Sequence, residues 1–302
     1  LGRGDCCGED QELCASSIQI LSNTRIEGST TVRGGWNKGG EYTVFFSAVF
    51  DTPADSFAVW QDGRILSRTN DAGGTDHECG AFFVFNESRG NVIRVKVGIS
   101  FISTEKAYAN MLHEIGHWDF TRTCKHAEKI WTKTQSRIKI KSDNQELKTI
   151  FYTALYHTML MPTDRSDENP LWTSQAPYYD DYYAIWDTFR ATHPLLTLIQ
   201  PERQVDMIRS LIDIYKHEGY MPDARSGNWS GRTQGGSNCD VLVADAFVKG
   251  LKNIDYETAL ASMIKNAQVA PGTEHRKWGR GGINEFKAMG YVSTNHERAG
   301  SR

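Results

Sequence analysis

The sequence contains no Cys-x-x-Cys pair. Its six cysteines, Cys6, Cys7, Cys14, Cys79, Cys124 and Cys239, lack the two-by-two spacing that a structural zinc site requires. The even count permits disulfides without fixing any pairing. Positive charge is not in excess either: 34 Lys and Arg stand against 37 Asp and Glu, a formal net charge of −3. No basic field is therefore available to hold nucleic acid or an anionic membrane surface through bulk electrostatics, and the expected partner is neutral or small. No window reaches the roughly 18 to 20 uninterrupted apolar residues that a bilayer-crossing helix demands. The most apolar stretches, Gly80–Phe85 and Phe151–Leu160, are the size of a strand or a helix. The chain starts Leu1-Gly-Arg-Gly-Asp-Cys-Cys7, with neither an initiator Met nor a basic-then-apolar leader, so the true N-terminus is expected to lie upstream.

Common catalytic signatures are missing as well. No Gly-x-Ser-x-Gly elbow occurs, and Gly235-Gly-Ser-Asn238 has no His and acid in the order of a serine hydrolase. The Gly-rich stretch Trp278-Gly-Arg-Gly-Gly282 follows a polar loop and lacks a closing Lys-Ser/Thr, which removes phosphate-loop and dinucleotide readings.

What remains is an ordinary globular composition, 302 residues with 39% hydrophobic and 24% charged, enough for one large domain or two smaller ones. Between about residues 15 and 100 the pattern is of short alternating segments separated by turn residues. Ser17–Ser22, Thr43–Phe50, Ser56–Trp60, Gly80–Phe85 and Asn91–Phe101 read as strands, with turns at Asn37–Gly40, Gln61–Gly63 and Asn70–Gly74. Val92, Val95 and Val97, alternating with Arg94 and Lys96, predict a strand with its valines buried and its charges in water. Two sequons, Asn86-Glu-Ser88 and Asn228-Trp-Ser230, suit a secreted protein.

After Phe101 the period becomes helical. Ser103 is a good N-cap for a helix over Glu105–Ile115. A second helix is expected over Asp119–Ile138, with Phe120, Ala127, Ile130 and Trp131 on one apolar face. Ile138–Ile140 reads as a short strand or an extended link. Further helices are expected over Asn144–Met161, Asp180–Leu198, Gln200–Glu218, Cys239–Gly250, Tyr256–Gln268 and Gly281–Met289. Two long loops, Pro162–Tyr178 and Met221–Asn238, interrupt them, and loops of that length in a helical array are where a site is to be sought. The domains expected are a β-sandwich over residues 1–102, a helical linker over 103–140 and a helical domain over 141–302.

His113-Glu114-Ile-Gly-His117 matches His-Glu-x-x-His, in which two His one helical turn apart bind zinc and the Glu activates its water. The extended form of the motif fails, since Phe120 and Thr123 stand where it needs Gly and a third His. Gly116-His-Trp-Asp119 also reads as a break between helices that would take His117 off the face of His113. A zinc metallopeptidase is the alternative this motif leaves.

Three segments of the helical half carry a stronger signal. Phe151–Leu160 runs into Met161-Pro-Thr-Asp-Arg-Ser-Asp167. Tyr178–Leu198 sets five Tyr and Trp side chains beside Asp187 and Arg190 and contains Trp186-Asp-Thr-Phe-Arg-Ala-Thr-His-Pro-Leu-Leu-Thr-Leu198. Gly219-Tyr-Met-Pro222 leads through a polar loop into Gly235-Gly-Ser-Asn-Cys-Asp-Val-Leu-Val-Ala-Asp-Ala-Phe-Val-Lys-Gly250. Together with Val95–Ser103 and Glu114-Ile-Gly-His-Trp-Asp-Phe120, these runs resemble glycoside hydrolase family 92, the calcium-dependent exo-α-mannosidases, over roughly residues 20 to 302.

The resemblance implies a β-sandwich followed by part of an (α/α)6 helical barrel. It implies inverting removal of terminal α-linked mannose from N-glycans or mannan, and a calcium cofactor. A sugar ring needs hydrogen-bonding groups for its hydroxyls and a flat apolar surface for its C–H face. Asp187 and Arg190, at i and i+3 of the expected helix, suit adjacent hydroxyls or pair with each other; Trp186 suits stacking or the core. Asp240, at the start of the next candidate helix, is a pocket residue or an N-cap. In the family the general acid lies in a Glu-Gly-Asn-Ala-Trp type segment and the base in a Gly-Asn-Asp-Asp type segment, and neither string occurs here. The 302 residues are therefore expected to be inactive alone, with the catalytic residues unassigned and most calcium ligands outside the chain. A non-catalytic carbohydrate-binding remnant is the third reading.

Overall fold

The computed structural model describes residues 11–34, 39–86, 92–182, 184–231, 237–272 and 279–294. Cys6, Cys7, Asn37 and Lys38 of the expected turn at 37–40, Ser88 of the first sequon, Asn91, Tyr183, Gly235, Gly236, Trp278 and residues 295–302 lie outside the described residues. The chain divides into two compact units, Leu1–Gly35 with Gly40–Lys129, and Trp36–Gly39 with Ile130–Arg302.

The first unit is built from β1 (Gln11–Ser22), β2 (Arg25–Gly34), β3 (Gly39–Phe50), β4 (Ser56–Gln61), β5 (Arg64–Leu66), β6 (Asp71–Thr75), β7 (Cys79–Val84) and β8 (Val95–Ser100). Five strands form a sheet in the order β6-β1-β2-β3-β8 and three form a second, β5-β4-β7. Ile18, Ile20, Ile26 and Ala48 of the first sheet pack with Val59 of the second, and Phe46, Phe50, Phe57 and Phe83 close the layer between them. This is the sandwich that the alternating pattern demands. The segment Arg25–Gly34, which sequence reading left unassigned, is β2. It follows a two-residue turn, and β1 pairs along its length from Ser22↔Arg25 to Gln11↔Gly34.

β8 corrects one expectation. Its alternation is real but its faces are inverted: Val95, Val97 and Ile99 are about half exposed, whereas Lys96, Gly98 and Ser100 are buried. The cause is α1 (Thr104–Glu114), which lies on the Lys96–Ser100 face. Gly98 admits the helix there, because a Cβ at that position would overlap the Ala107 carbonyl and sit 2.7 Å from Met111 Cβ. Lys96 escapes the cost of burial by donating from Nζ to the Ile115 carbonyl at 3.1 Å and by lying 4.3 Å from the Trp118 ring centroid. α1 begins at the Ser103 cap, whose hydroxyl accepts from the Lys106 amide.

α2 (Phe120–Gln135) has no fully buried residue. Of its expected apolar face, Phe120 and Ile130 are exposed, and Trp131 meets Tyr156 edge-on at 4.5 Å. The described cysteines, Cys14, Cys79, Cys124 and Cys239, are free thiols.

The second unit continues through α3 (Gln145–His157), β9 (Thr163–Asp164), β10 (Tyr179–Asp180), α4 (Ile185–Thr188), α5 (Thr192–Ile199), α6 (Pro201–Glu218), β11 (Ala224–Ser226), β12 (Trp229–Gly231), α7 (Asn238–Val248), α8 (Tyr256–Gln268) and α9 (Ile283–Met289). No strand forms at 138–140. α6 starts on a Pro, ends on Gly219 in the left-handed region and buries Met207, Ile208, Leu211, Ile212 and Ile214. Leu155, Leu196, Leu242, Val243 and Ala259 of the neighbouring helices complete that core. The whole is a β-sandwich followed by a helical array, the class expected.

The single helix expected over Asp180–Leu198 is instead β10, α4 and α5. Pro194 explains the break between the helices. It has no N–H for the Arg190 carbonyl, so the helix restarts at Thr192 with Pro194 in its first turn, where that donor is not needed. Tyr178, Tyr179 and Tyr182, expected beside the site, are buried in the core instead. Their polar ends are satisfied there: the Tyr182 hydroxyl donates to the Met207 carbonyl at 2.7 Å and that of Tyr178 to Asn228 Oδ1 at 2.8 Å.

Candidate active site

Trp186 and Asp187 lie on α4, a single turn, and Arg190 lies just beyond its end. Asp187 and Arg190 therefore do not share a helix face, contrary to the i, i+3 reading. Arg190 turns back on its own segment, donating from Nε to the Trp186 carbonyl at 3.0 Å, with its guanidinium 4.7 Å from the Trp186 ring centroid and 4.8 Å from that of Phe189. Among the described residues no ion pair joins Arg190 to Asp187. The outcome is an indole, 39% exposed, carrying a guanidinium, beside an exposed carboxylate. Such a surface offers stacking and two kinds of polar contact to a ligand ring.

Asp240 occupies the first turn of α7. A helix N-terminus favours the carboxylate, but burial outweighs that effect and pushes its pKa up to about 6. Cys239 Sγ and Asn266 Nδ2 both lie 3.5 Å from Asp240 Oδ1. Cys239 is itself fully buried, and its thiol is raised well above the usual range, chiefly by burial and then by Asp240 and Asp223. Asp245, by contrast, is a surface residue paired with Lys249 at 2.7 Å.

Asp223 is the residue that sequence reading missed. It is 2% exposed. Its Oδ1 accepts from the Asn238 backbone amide at 3.2 Å and from Asn238 Nδ2 at 3.0 Å. Its backbone carbonyl accepts from the Ile185 amide at 3.0 Å. Ser237, the formal cap of α7, makes no side-chain cap bond, so Asp223 serves as a cap supplied from another segment. One residue thus links the start of α4 to the start of α7. Its second oxygen, Oδ2, is buried without a partner among the described residues, and burial raises the carboxyl above its usual range.

The two long loops are fastened by buried charge. Arg225, fully buried, donates to both Glu218 oxygens and to Ser230 Oγ, and reaches the Tyr178 hydroxyl at 3.2 Å. Arg165 bridges Asp180 and Asp181, each at 2.8 Å. The Asn228 amide donates to Asp180 Oδ2 at 2.8 Å. Gly227 and Asn228, both with positive φ, form the β11–β12 turn. Asn228 is 2% exposed and hydrogen-bonded to Tyr178, so in the folded chain its sequon presents no side-chain amide for a glycan. Asn86 of the other sequon is exposed.

The zinc-like motif does not assemble. α1 ends at Glu114, with His113 in its last turn, and His117 lies beyond it, accepting the Asp119 amide on Nδ1 at 3.2 Å. Among the described residues no three His, Cys, Asp or Glu side chains cluster to hold a metal ion. Without such a cluster, the described residues offer no carboxylate set that fits a calcium ion, which takes six to eight oxygens, several of them from carboxylates. An open cleft in the first unit, lined by Arg94, Trp118, Asp119, Phe120 and Thr121, shares no residue with the candidate site. Among the described residues no helix is long and apolar enough to cross a membrane.

Comparison with known proteins gives this geometry its context. An uncharacterized secreted glycosidase of Arthroderma benhamiae is 34% identical over 222 residues, which are 71% of this chain and 25% of that protein. The structure of a family GH92 inverting mannosidase from Bacteroides thetaiotaomicron superposes with a TM-score of 0.82 at 28% identity, covering 95% of this chain and 40% of the other. A family GH92 α-mannosidase from the same bacterium gives 0.77 at 26% identity, covering 93% and 38%, and has also been solved in complex with mannoimidazole. The chain thus spans well under half the length of these relatives. Residues 6–100 match the glycosyl hydrolase family 92 N-terminal domain and residues 106–302 the glycosyl hydrolase family 92 catalytic domain, and the chain belongs to that family.

Proposed function

We propose that this chain supplies the sandwich and part of the sugar-binding wall of a secreted inverting exo-α-mannosidase, acting on terminal α-linked mannose of N-glycans or mannan. Trp186 would stack on the apolar face of the ring, while Asp187, Arg190 and Asp240 would take its hydroxyls. The observation that carries this reading is the linkage of the α4 and α7 starts through Asp223. It brings the elements bearing Trp186, Asp187 and Asp240 into one neighbourhood, as a pocket for a single ring requires.

Inverting hydrolysis needs a carboxylic acid on the leaving oxygen and a carboxylate to activate water, about 6.5 to 9.5 Å apart. Neither role falls to a residue of this chain in our reading. Its own groups bind and orient the sugar; the acid, the base and the cation ligands belong to the rest of a longer enzyme. Calcium, which the family implies, would be held by residues outside the described set.

The test is calorimetric titration of the 302-residue chain with α-mannobiose, alongside an assay for released mannose. Binding without turnover, abolished in Asp187→Ala, is the expected result. Turnover by the isolated chain, or affinity unchanged in both Asp187→Ala and Asp240→Ala, would overturn the reading. For a zinc peptidase only the motif speaks, and α1 stops before His117.

A further inference from the structure

We infer that Asp223 is a positioning residue of the sugar site, fixing the start of the Asp187-bearing helix to the start of the Asp240-bearing helix. The sugar half of this inference rests on the mannoside reading, whereas the linkage itself does not. Three observations carry it. The carboxylate makes two bonds to Asn238, at 3.2 and 3.0 Å, and thereby caps an 11-residue helix that has no cap bond of its own. The carbonyl of the same residue takes the Ile185 amide, the first of α4. The side chain is nearly inaccessible, and its Oδ2 is buried without a partner among the described residues.

A buried carboxylate with an unpaired oxygen is costly if its only task is to end a helix, because Ser or Asn at the cap position does that locally. Asp223 instead converts the position of one helix into a constraint on the other. Its side chain binds α7 and its main chain binds α4, so displacement of one is transmitted over a single residue. Asp187 and Asp240, 53 positions apart in sequence, would then be held at a fixed relation without touching each other. A ligand ring that needs both gains from that preorganisation.

The experiment is residue-resolved amide hydrogen exchange on the 302-residue chain and its Asp223→Ala, Asp223→Asn and Asn238→Ala variants, followed by α-mannobiose titration of each. In D223A, exchange at both Asn238 and Ile185 is expected to rise at least about tenfold, the loss of one or more charge-assisted bonds. D223N keeps a carbonyl acceptor and is expected to stay within a few-fold of the parent. N238A removes the side-chain donor and leaves the backbone amide on Asp223, so a smaller rise at both positions is expected, and it serves if D223A does not fold. Faster exchange at Asn238 with Ile185 unchanged would overturn the linkage and leave Asp223 a local cap. Mannobiose affinity should fall with the same variants and be rescued in D223N. Linked exchange with unchanged affinity would overturn the positioning role alone. Linked exchange in a parent chain that binds no mannobiose would overturn the sugar half together with the mannoside reading.

Discussion

Arg225 and Glu218 meet as a two-pronged ion pair inside the second unit, at 2.9 and 3.1 Å, with side chains 0% and 5% exposed. Their attraction offsets the cost of burying both charges only while both are present. Ser230 and Tyr178 also accept from the guanidinium, and Asp180 lies 3.6 Å from its Nε, so Arg225 joins α6 to the hairpin of β11 and β12. Arg225→Ala strands Glu218 and is expected to cost about 3–5 kcal/mol. Arg225→Lys should recover little of this, because an ammonium cannot reproduce the planar fork. Urea unfolding curves measure it, and a loss under about 1 kcal/mol in R225A would show that other contacts hold the loops.

At Gly98 the backbone of α1 lies directly against β8. Any side chain there meets the Ala107 carbonyl and Met111, in a contact that buries Ala107 and Met111 almost completely. Gly98→Val should force the helix off the strand, at a cost of roughly 2–4 kcal/mol from overpacking and lost burial. Thermal unfolding followed by circular dichroism checks this. Unchanged stability would mean that α1 contributes little to the first unit.

These two sites show what could be read from the sequence and what could not. The strand at 95–100 was legible from alternation, yet alternation says only that two faces differ. With Val95, Val97 and Ile99 on one side and Lys96, Gly98 and Ser100 on the other, apolarity pointed to the wrong face. The glycine that admits α1, and the capped lysine beside it, decide the matter through a contact made by another element. Pro194 signals a break in the 180–198 helix, and with that break the shared face of Asp187 and Arg190 is lost. Family motifs marked Trp186 and Asp240, because those runs are long. Asp223, Arg225 and Glu218 carry no periodic signal; their importance comes from burial, which tertiary packing alone confers.

His193 makes a pH prediction. It is 1% exposed, with Nδ1 paired to Gln204 at 3.0 Å and Nε2 buried without a partner among the described residues. Burial lowers its pKa from 6.5 to about 4. The folded chain therefore keeps it neutral while the unfolded chain takes up a proton below pH 6.5, so stability falls as pH drops from 6.5 toward 4. The loss should total roughly 3 kcal/mol. His193→Gln should be less stable at neutral pH but should lack this slope. A variant with the parent's slope over the window would assign the effect to another group.

Metal content tests the helix break at Glu114. With His117 outside α1 and its Nδ1 engaged by the Asp119 amide, the chain is expected to carry no stoichiometric zinc by elemental analysis. His113→Ala should leave both metal content and melting temperature unchanged. One equivalent of zinc lost in H113A would revive the peptidase alternative.

Asp240 separates stability from binding. Burial raises its pKa from 3.8 to about 6, so the folded chain favours the protonated form and the charged form at neutral pH works against folding. The sign follows from linkage: between pH 3.8 and 6 the folded state binds more protons than the unfolded, and stability from this group declines as pH rises through that window. Asp240→Asn removes the penalty and should stabilise the chain at pH 7.5 by roughly 1–3 kcal/mol. If the carboxylate accepts a sugar hydroxyl, the same variant should weaken α-mannobiose binding at least about tenfold, the worth of one hydrogen bond to a charged acceptor. Affinity in the parent should then rise with pH through about 6, as the carboxylate forms, and be flat in D240N. Paired unfolding and titration series across pH 5 to 8 measure both effects. A variant that loses stability with its affinity intact would make Asp240 a structural cap and take it out of the site.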